Sequence, residues 1–187
     1  MGWMNHNQAE DEEAFAALFQ QYKNLVFKTA YLMLGNPIEA EDALQEVFLN
    51  VHRALGTFDP SRAAFSTWLY RITVNHCLNR RRKRELSLFP LGEVPGHAPS
   101  PEGQIMTDEV LEQALDSLSD KLRSVVVLRY YADLPYAEIG EILDVPLGTV
   151  KSRLSQALDT MRQTLDTSSD EEEVVLAGVA SSREDTE

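Results

Sequence analysis

The stretch LPYAEIGEILDVPLGTVKSRL, Leu134 to Leu154, decides how the chain is read. Ile139, Gly140, Leu143, Val145 and Val150 have the spacing of a helix-turn-helix. In that motif apolar residues lock two helices together, and a small residue such as Gly140 permits their close crossing. Pro146 and Gly148 supply the turn between helices expected at about Tyr136–Leu143 and Thr149–Leu165. The second helix presents Thr149, Lys151, Ser152, Arg153, Ser155 and Gln156 near its N-terminal end. Such side chains reach base edges and phosphates when a helix enters a major groove. A helical hairpin with a polar face would carry a similar pattern, so this segment alone leaves both readings open.

Upstream, Val110, Leu111, Ala114, Leu115 and Leu118 recur at helical spacing. Ser119 has the chemistry of an N-cap for a helix through Leu122, Val125, Val126 and Leu128. Val125-Val126-Val127 also reads as a strand, but no partner strand is evident. Between Leu86 and Gln104 four prolines and three glycines exclude a regular element, which makes this stretch a linker.

The N-terminal half reads as three helices. Phe15, Leu18, Phe19, Tyr22, Leu25, Val26, Thr29, Leu32 and Met33 form one face of a long helix from about Glu10, stopped by Gly35-Asn36-Pro37. A second helix spans about Ile38 to Leu55, with Ala40, Ala43, Leu44, Val47, Phe48 and Val51 inward and Gly56 closing it. Phe58 to Arg62 has turn chemistry. A third helix then begins with Phe65, Trp68, Leu69 and Ile72 and ends in the basic run Arg80 to Arg84. The expected fold class is all-α: two small helical domains joined by a flexible linker, the C-terminal one containing the helix-turn-helix. Their bounds are 1–85, 86–105 for the linker, 106–166, and 167–187 for an acidic tail expected to be disordered.

Charge is unevenly placed. The 187 residues hold 17 Lys and Arg against 30 Asp and Glu, a net charge of −13. Yet Ser61 to Glu85 carries seven basic residues and one acidic, while Leu86 to Asp120 carries seven acidic and none basic. An acidic total argues against nonspecific coating of nucleic acid, but a concentrated basic stripe still neutralises the phosphates it faces. The single cysteine, Cys77, excludes an internal disulfide and reads as a small core hydrophobe. No apolar stretch approaches the ~18 to 20 residues of a membrane span, so no membrane insertion is expected. Met1 to Glu13 lacks the layout of a signal peptide, which points to the cytoplasm. His6, His52, His76 and His97 are scattered, and there is no phosphate loop or paired-carboxylate constellation, so neither catalysis nor a cofactor or metal is expected.

Two further constellations carry chemistry. Asp42, Gln45 and Glu46 lie on adjacent turns of one helix face, opposite Leu44, Val47 and Phe48. Alone, such a face is ordinarily solvated. Phe65 to Asn75 interleaves aromatic, basic and amide residues just before the basic run. This mixture suits strand separation, in which rings or an apolar pocket take unpaired bases, amides read their edges and Arg or Lys holds the backbone. Trp68 and Leu69 fit a plain core role better.

The order of AEDALQEVF, FDPSRAAFSTWLYRITVN, a Pro-rich linker, LPYAEIGEIL and VPLGTVKSRL resembles a bacterial RNA polymerase sigma factor of the extracytoplasmic-function (ECF) group. The resemblance spans about Glu10 to Leu165. It implies the second and fourth domains of larger sigma factors, with a linker in place of the third, and a role in directing core polymerase to promoters. It further implies that Asp42, Gln45 and Glu46 meet the beta-prime clamp and that the fourth domain docks on the beta flap. Phe58, Asp59, Ser61, Arg62 and Asn75 would capture an unstacked base of the minus-ten element, with Arg71, Arg80, Arg81, Arg82, Lys83 and Arg84 on the adjoining backbone. Lys151, Ser152 and Arg153, flanked by Thr149 and Gln156, would read the minus-thirty-five element. The linker would thread toward the active-centre cleft. An anti-sigma factor is the implied regulator. Ser155 and Gln156 depart from the aromatic or His followed by Arg that the family commonly carries there. The competing reading is a freestanding helix-turn-helix repressor or activator, which would bind an operator as a dimer without polymerase.

Overall fold

Gly35 and Asn36 separate the first two helices by backbone chemistry. Helix α1 (Gln8–Leu34) ends where Gly35 turns left-handed at a φ of +71° and donates its N–H to the Tyr31 carbonyl at 2.8 Å. Asn36 then caps α2 (Pro37–Ala54): its Oδ1 accepts the amides of Ile38 and Glu39 at 2.9 and 3.1 Å, and Pro37 takes the first helical position. The computed structural model describes residues 8–87 and 109–181, with side chains described for 12–84 and 110–166.

Gly56 does not stop α2 by itself, because it lies inside a 3-10 turn, Leu55–Thr57, that prolongs the helix. Helix α3 (Phe65–Ser87) carries the basic run and extends to Ser87, past the point where the linker was placed, since no proline intervenes before Pro90. The rest of the expected linker lies outside the described residues up to 108.

The second half contains α4 (Glu109–Asp116), α5 (Asp120–Val126), a π-helical turn (Val127–Tyr131), α6 (Tyr136–Leu143) and α7 (Leu147–Ser181). Val125 to Val127 are therefore helical, and no strand occurs among the described residues. Ser119 occupies the N-cap position of α5, but it acts through its carbonyl, which accepts from the Leu122 and Arg123 amides; its hydroxyl makes no cap bond. Helix α7 runs on to Ser181, where the sequence reading expects disorder. No proline occurs between Leu147 and Ser181, so a helix already nucleated at Leu147 propagates through the whole stretch.

Two buried clusters hold these helices. Val26, Val47, Phe48, Val51 and Leu69 join α1, α2 and α3, with Phe15, Phe19, Tyr22, Phe65 and Trp68 packed around them. The second cluster runs from Ala30, Met33 and Leu34 of α1 and Tyr70, Val74 and Cys77 of α3 into Leu115, Leu122, Val125, Ile139, Val150 and Leu154. The two halves of the chain therefore share one core, and α3 packs directly on α6.

Candidate nucleic-acid interface

The helix-turn-helix forms as its spacing predicts, with one difference in the turn. Ile139, Gly140 and Ile142 of α6 and Val150, Leu154 and Ala157 of α7 are buried. A Cβ on Gly140 would sit 2.9 Å from the Val145 carbonyl oxygen, so the glycine is required by the backbone of the turn itself. The left-handed residue of that turn is Asp144, at a φ of +53°. Gly148 lies in the first turn of α7, which begins at Leu147, so it does not make the turn. Lys151, Ser152, Ser155 and Gln156 are exposed along one side of α7; Thr149 and Arg153 are half-buried. The Ser152 hydroxyl donates to the Thr149 carbonyl at 3.1 Å and is to that extent engaged locally.

On α2, Asp42, Gln45 and Glu46 are all exposed, on the face that the burial of Ala43 and Val47 predicts. One of the three already has a hydrogen-bonded partner on α3, and a second lies near a histidine there. Asp42 accepts from Arg80 at 3.0 Å, and Glu46 lies 3.6 Å from His76 Nε2; one turn away Glu39 pairs with Arg84 at 3.4 Å. The acidic face of α2 thus lies against Arg80 and Arg84, with His76 continuing the every-fourth-residue stripe of α3, an arrangement that α2 and α3 create by running antiparallel.

That arrangement divides the basic run. Arg80 and Arg84 turn toward α2, and Arg82 donates to Asn79 at 3.0 Å. Arg81 points the other way, pairs with Asp120 at the start of α5 and donates to the Met33 carbonyl at 2.7 Å. The five residues do not form the single phosphate-facing stripe that their succession suggests, because a helix turns each about 100° from the last.

The loop before α3 is shaped by its own side chains. Asp59 Oδ1 accepts from the Ser61 amide at 3.0 Å and from its hydroxyl at 2.7 Å, an Asx turn. These bonds hold the Asp59 carboxyl below its ordinary pKa, with Arg62 adding to the effect against a small opposing burial. Asp59, Ser61 and Arg62 are exposed, as are Arg71 and Asn75 one helical turn apart on α3. Phe58 is half-buried, with its ring 5.2 Å from Phe65 and 5.3 Å from Trp68. It forms the wall of an aromatic cluster and is not a free stacking platform. Leu69 is core, and Trp68 is half-buried in that cluster.

Cys77 is fully buried, and burial pushes its thiol up to about 12, which leaves no reactive thiolate. Contacts missed in the sequence join the two halves: Thr67 donates to Glu138 at 2.8 Å, and Arg123 reaches the Met33 carbonyl at 3.3 Å. No local pattern signals them, since the partners lie 71 and 90 residues apart. Among the described residues no helix is long and apolar enough to cross a membrane.

Comparison with known proteins agrees with this layout. Residues 18–86 match Sigma-70 region 2, and residues 114–163 match Sigma-70 region 4. The ECF RNA polymerase sigma factor SigW of Bacillus subtilis is 38% identical, over 83% of this chain and 90% of its own length. The ECF sigma-E factor of Escherichia coli K12 is 32% identical, over 82% of this chain and 87% of its own. Among solved structures, the sigma factor RpoE of Bartonella quintana, crystallised with the anti-sigma factor NepR, shares the fold at a TM-score of 0.67 and 22% identity, covering 82% of this chain and 98% of that one. Two helical regions in this order, a helix-turn-helix in the second, and relatives of this similarity along nearly their whole length lead to one conclusion: the chain belongs to the ECF family of RNA polymerase sigma factors.

Proposed function

We propose that this promoter-specificity factor docks on core polymerase through Asp42, Gln45 and Glu46 of α2. In this reading it engages the minus-ten region through the Asp59 to Arg62 loop with Arg71 and Asn75, and reads the minus-thirty-five region through Lys151, Ser152, Arg153 and Gln156, flanked by Thr149. The observation that carries the reading is that Asp42, Gln45 and Glu46, then Asp59, Ser61, Arg62, Arg71 and Asn75, then Lys151, Ser152 and Gln156 are exposed beside or on helices whose opposite faces are core, with Thr149 and Arg153 half-buried among the last group. Phe58 supports the minus-ten pocket as a wall, and Arg82 and Lys83 are the members of the basic run most open to phosphate. We divide the chain into 1–85, a linker 86–105, 106–166 and a tail 167–187. Its role is to direct a catalyst, with no chemistry of its own, and its place is the cytoplasm, where polymerase works.

RpoE of Bartonella quintana was solved with the anti-sigma factor NepR, and CnrH with the cytosolic domain of CnrY. We extend that regulation by an anti-sigma factor to this chain. The test is transcription: purified protein added to sigma-free core polymerase on a pool of promoter fragments, wild type against Asp42→Ala/Gln45→Ala. Selective initiation by wild type, lost in the double variant, is expected. Tight DNA binding without polymerase and no initiation would favour the freestanding regulator instead.

A further inference from the structure

Helix α7 turns by about 100° per residue, so the burial pattern of its first three turns fixes the direction each side chain takes. Val150, Leu154 and Ala157 lie in the core, which puts Ser152 nearly opposite them, with Ser155 and Gln156 on either side of the same outward line one turn later. All three are exposed. Lys151 and Arg153 flank Ser152 in sequence and therefore leave the helix about 100° to one side and to the other, Lys151 exposed and Arg153 half-buried. The two cations stand at the edges of the strip, and the strip between them is uncharged. One turn beyond Gln156, Asp159 is exposed and lies 3.4 Å from Arg162, so the surface open to a polyanion ends at a carboxylate.

That layout separates two tasks. A helix fills a major groove ~12 Å wide, so side chains leaving its edges meet the phosphates of the two walls, and those on its outward line meet base edges. Lys151 and Arg153 have the charge and the reach for the walls. On the outward line Gln156 alone is long enough to bring two polar atoms to one base. Thr160 donates to its backbone carbonyl at 3.0 Å, and its side-chain amide has no hydrogen-bond partner among the described residues. An amide sets one acceptor beside one donor, which matches the N6 donor and N7 acceptor of adenine. Guanine shows two acceptors at the same edge, and the guanidinium or ammonium that suits them is missing from this line. Ser152 points to the same kind of base edge: its hydroxyl proton goes to the Thr149 carbonyl at 3.1 Å, which leaves lone pairs to take an N–H from adenine N6 or cytosine N4.

We propose that Gln156 is the specificity-determining residue of α7: it selects an A·T pair at one position of the minus-thirty-five element through paired hydrogen bonds to adenine N6 and N7, while Lys151 and Arg153 hold the phosphates on either side and carry no base preference. This deepens the minus-thirty-five reading of the helix and rests on it. Because Gln156 is exposed and its neighbours in the core are Leu154 and Ala157, it can be exchanged without disturbing the packing of α7.

The experiment starts from a promoter fragment on which the wild type initiates, randomises its minus-thirty-five element, and selects the fragments bound by core polymerase carrying the full chain as wild type, Gln156→Arg or Gln156→Ala, helix content serving as the check on folding. The wild type is expected to fix A·T at one position, with about tenfold or greater discrimination against G·C. Gln156→Arg turns that position to G·C, Gln156→Ala leaves it open, and every other position stays as it was. Lys151→Ala weakens binding to all fragments alike and lowers its salt dependence. The same preference in all three proteins at position 156, a wild-type preference for G·C at the position that responds to them, or a changed base preference in Lys151→Ala would each overturn the assignment. If no fragment supports initiation, the sigma-factor reading fails, and the same three proteins then select from random duplex DNA without polymerase. There the A·T to G·C exchange still upholds Gln156 as the reader, and its absence overturns it.

Discussion

At the scale of single residues, function here is bounded by close approach and burial. Gly140 faces the Val145 carbonyl with room for hydrogen only, so Gly140→Ala must move the turn or the oxygen. We expect it to destabilise by ~1 to 3 kcal/mol, seen as a lower thermal midpoint, and to weaken minus-thirty-five binding with it. His76 is a second case. Burial, the largest influence, lowers its pKa below the ordinary 6.5; Glu46 pulls the other way, and Arg80 and Lys83 add to the lowering. The unfolded chain therefore takes up the proton first, and this contribution to stability is complete above pH 6.5 and declines as pH falls toward the folded pKa. Its imidazole should titrate below 6.5 by NMR, and the loss in urea midpoint between pH 7.5 and 5.5 should shrink in His76→Gln.

At the scale of elements, the ends of the helices decide what their faces present. Asn36 sets the start of α2, and α2 carries Asp42, Gln45 and Glu46 at a register fixed by that start. Asn36→Ala leaves the Ile38 and Glu39 amides without their acceptor and should lower stability by ~1 kcal/mol, measured by chemical denaturation. Asn36→Asp should retain most of it. The pairing of α2 with α3 belongs to this scale too, since Arg80 and Arg84 meet Asp42 and Glu39 only because the helices run antiparallel. The acidic face that the sequence shows as free is in the folded chain partly neutralised.

At the scale of the whole molecule, Arg123 is the side chain whose removal reaches furthest. It joins α5 to the end of α1, to Leu115 of α4 and to Asp116. Burial lowers its pKa while Asp116 and Asp120 oppose the shift; a guanidinium so placed remains charged. Arg123→Ala removes the hydrogen bonds to the Met33 and Leu115 carbonyls and to Asp116 and leaves a void where a buried side chain sat, and we expect a loss of ~2 to 4 kcal/mol in equilibrium unfolding, with Arg123→Lys unable to restore the forked geometry.

The sequence by itself determined most of the local structure. Helical periodicity, the stop at Gly35-Asn36-Pro37, the helix-turn-helix and the exposed polar faces all follow from short-range pattern, because a helix is built from contacts three and four residues apart. The ordered motifs also placed the chain in its family. Pattern misplaced the turn residue at Gly148 and missed the continuation of α7 to Ser181, where propagation from a packed helix outweighs composition. Only the tertiary structure decided how the basic run is shared out, that Phe58 is wall and not platform, and that the two regions meet across one core. The first and last of these depend chiefly on partners 38 to 90 residues away in sequence, and the second on how the loop folds Phe58 back onto Phe65 and Trp68, which helical periodicity does not encode.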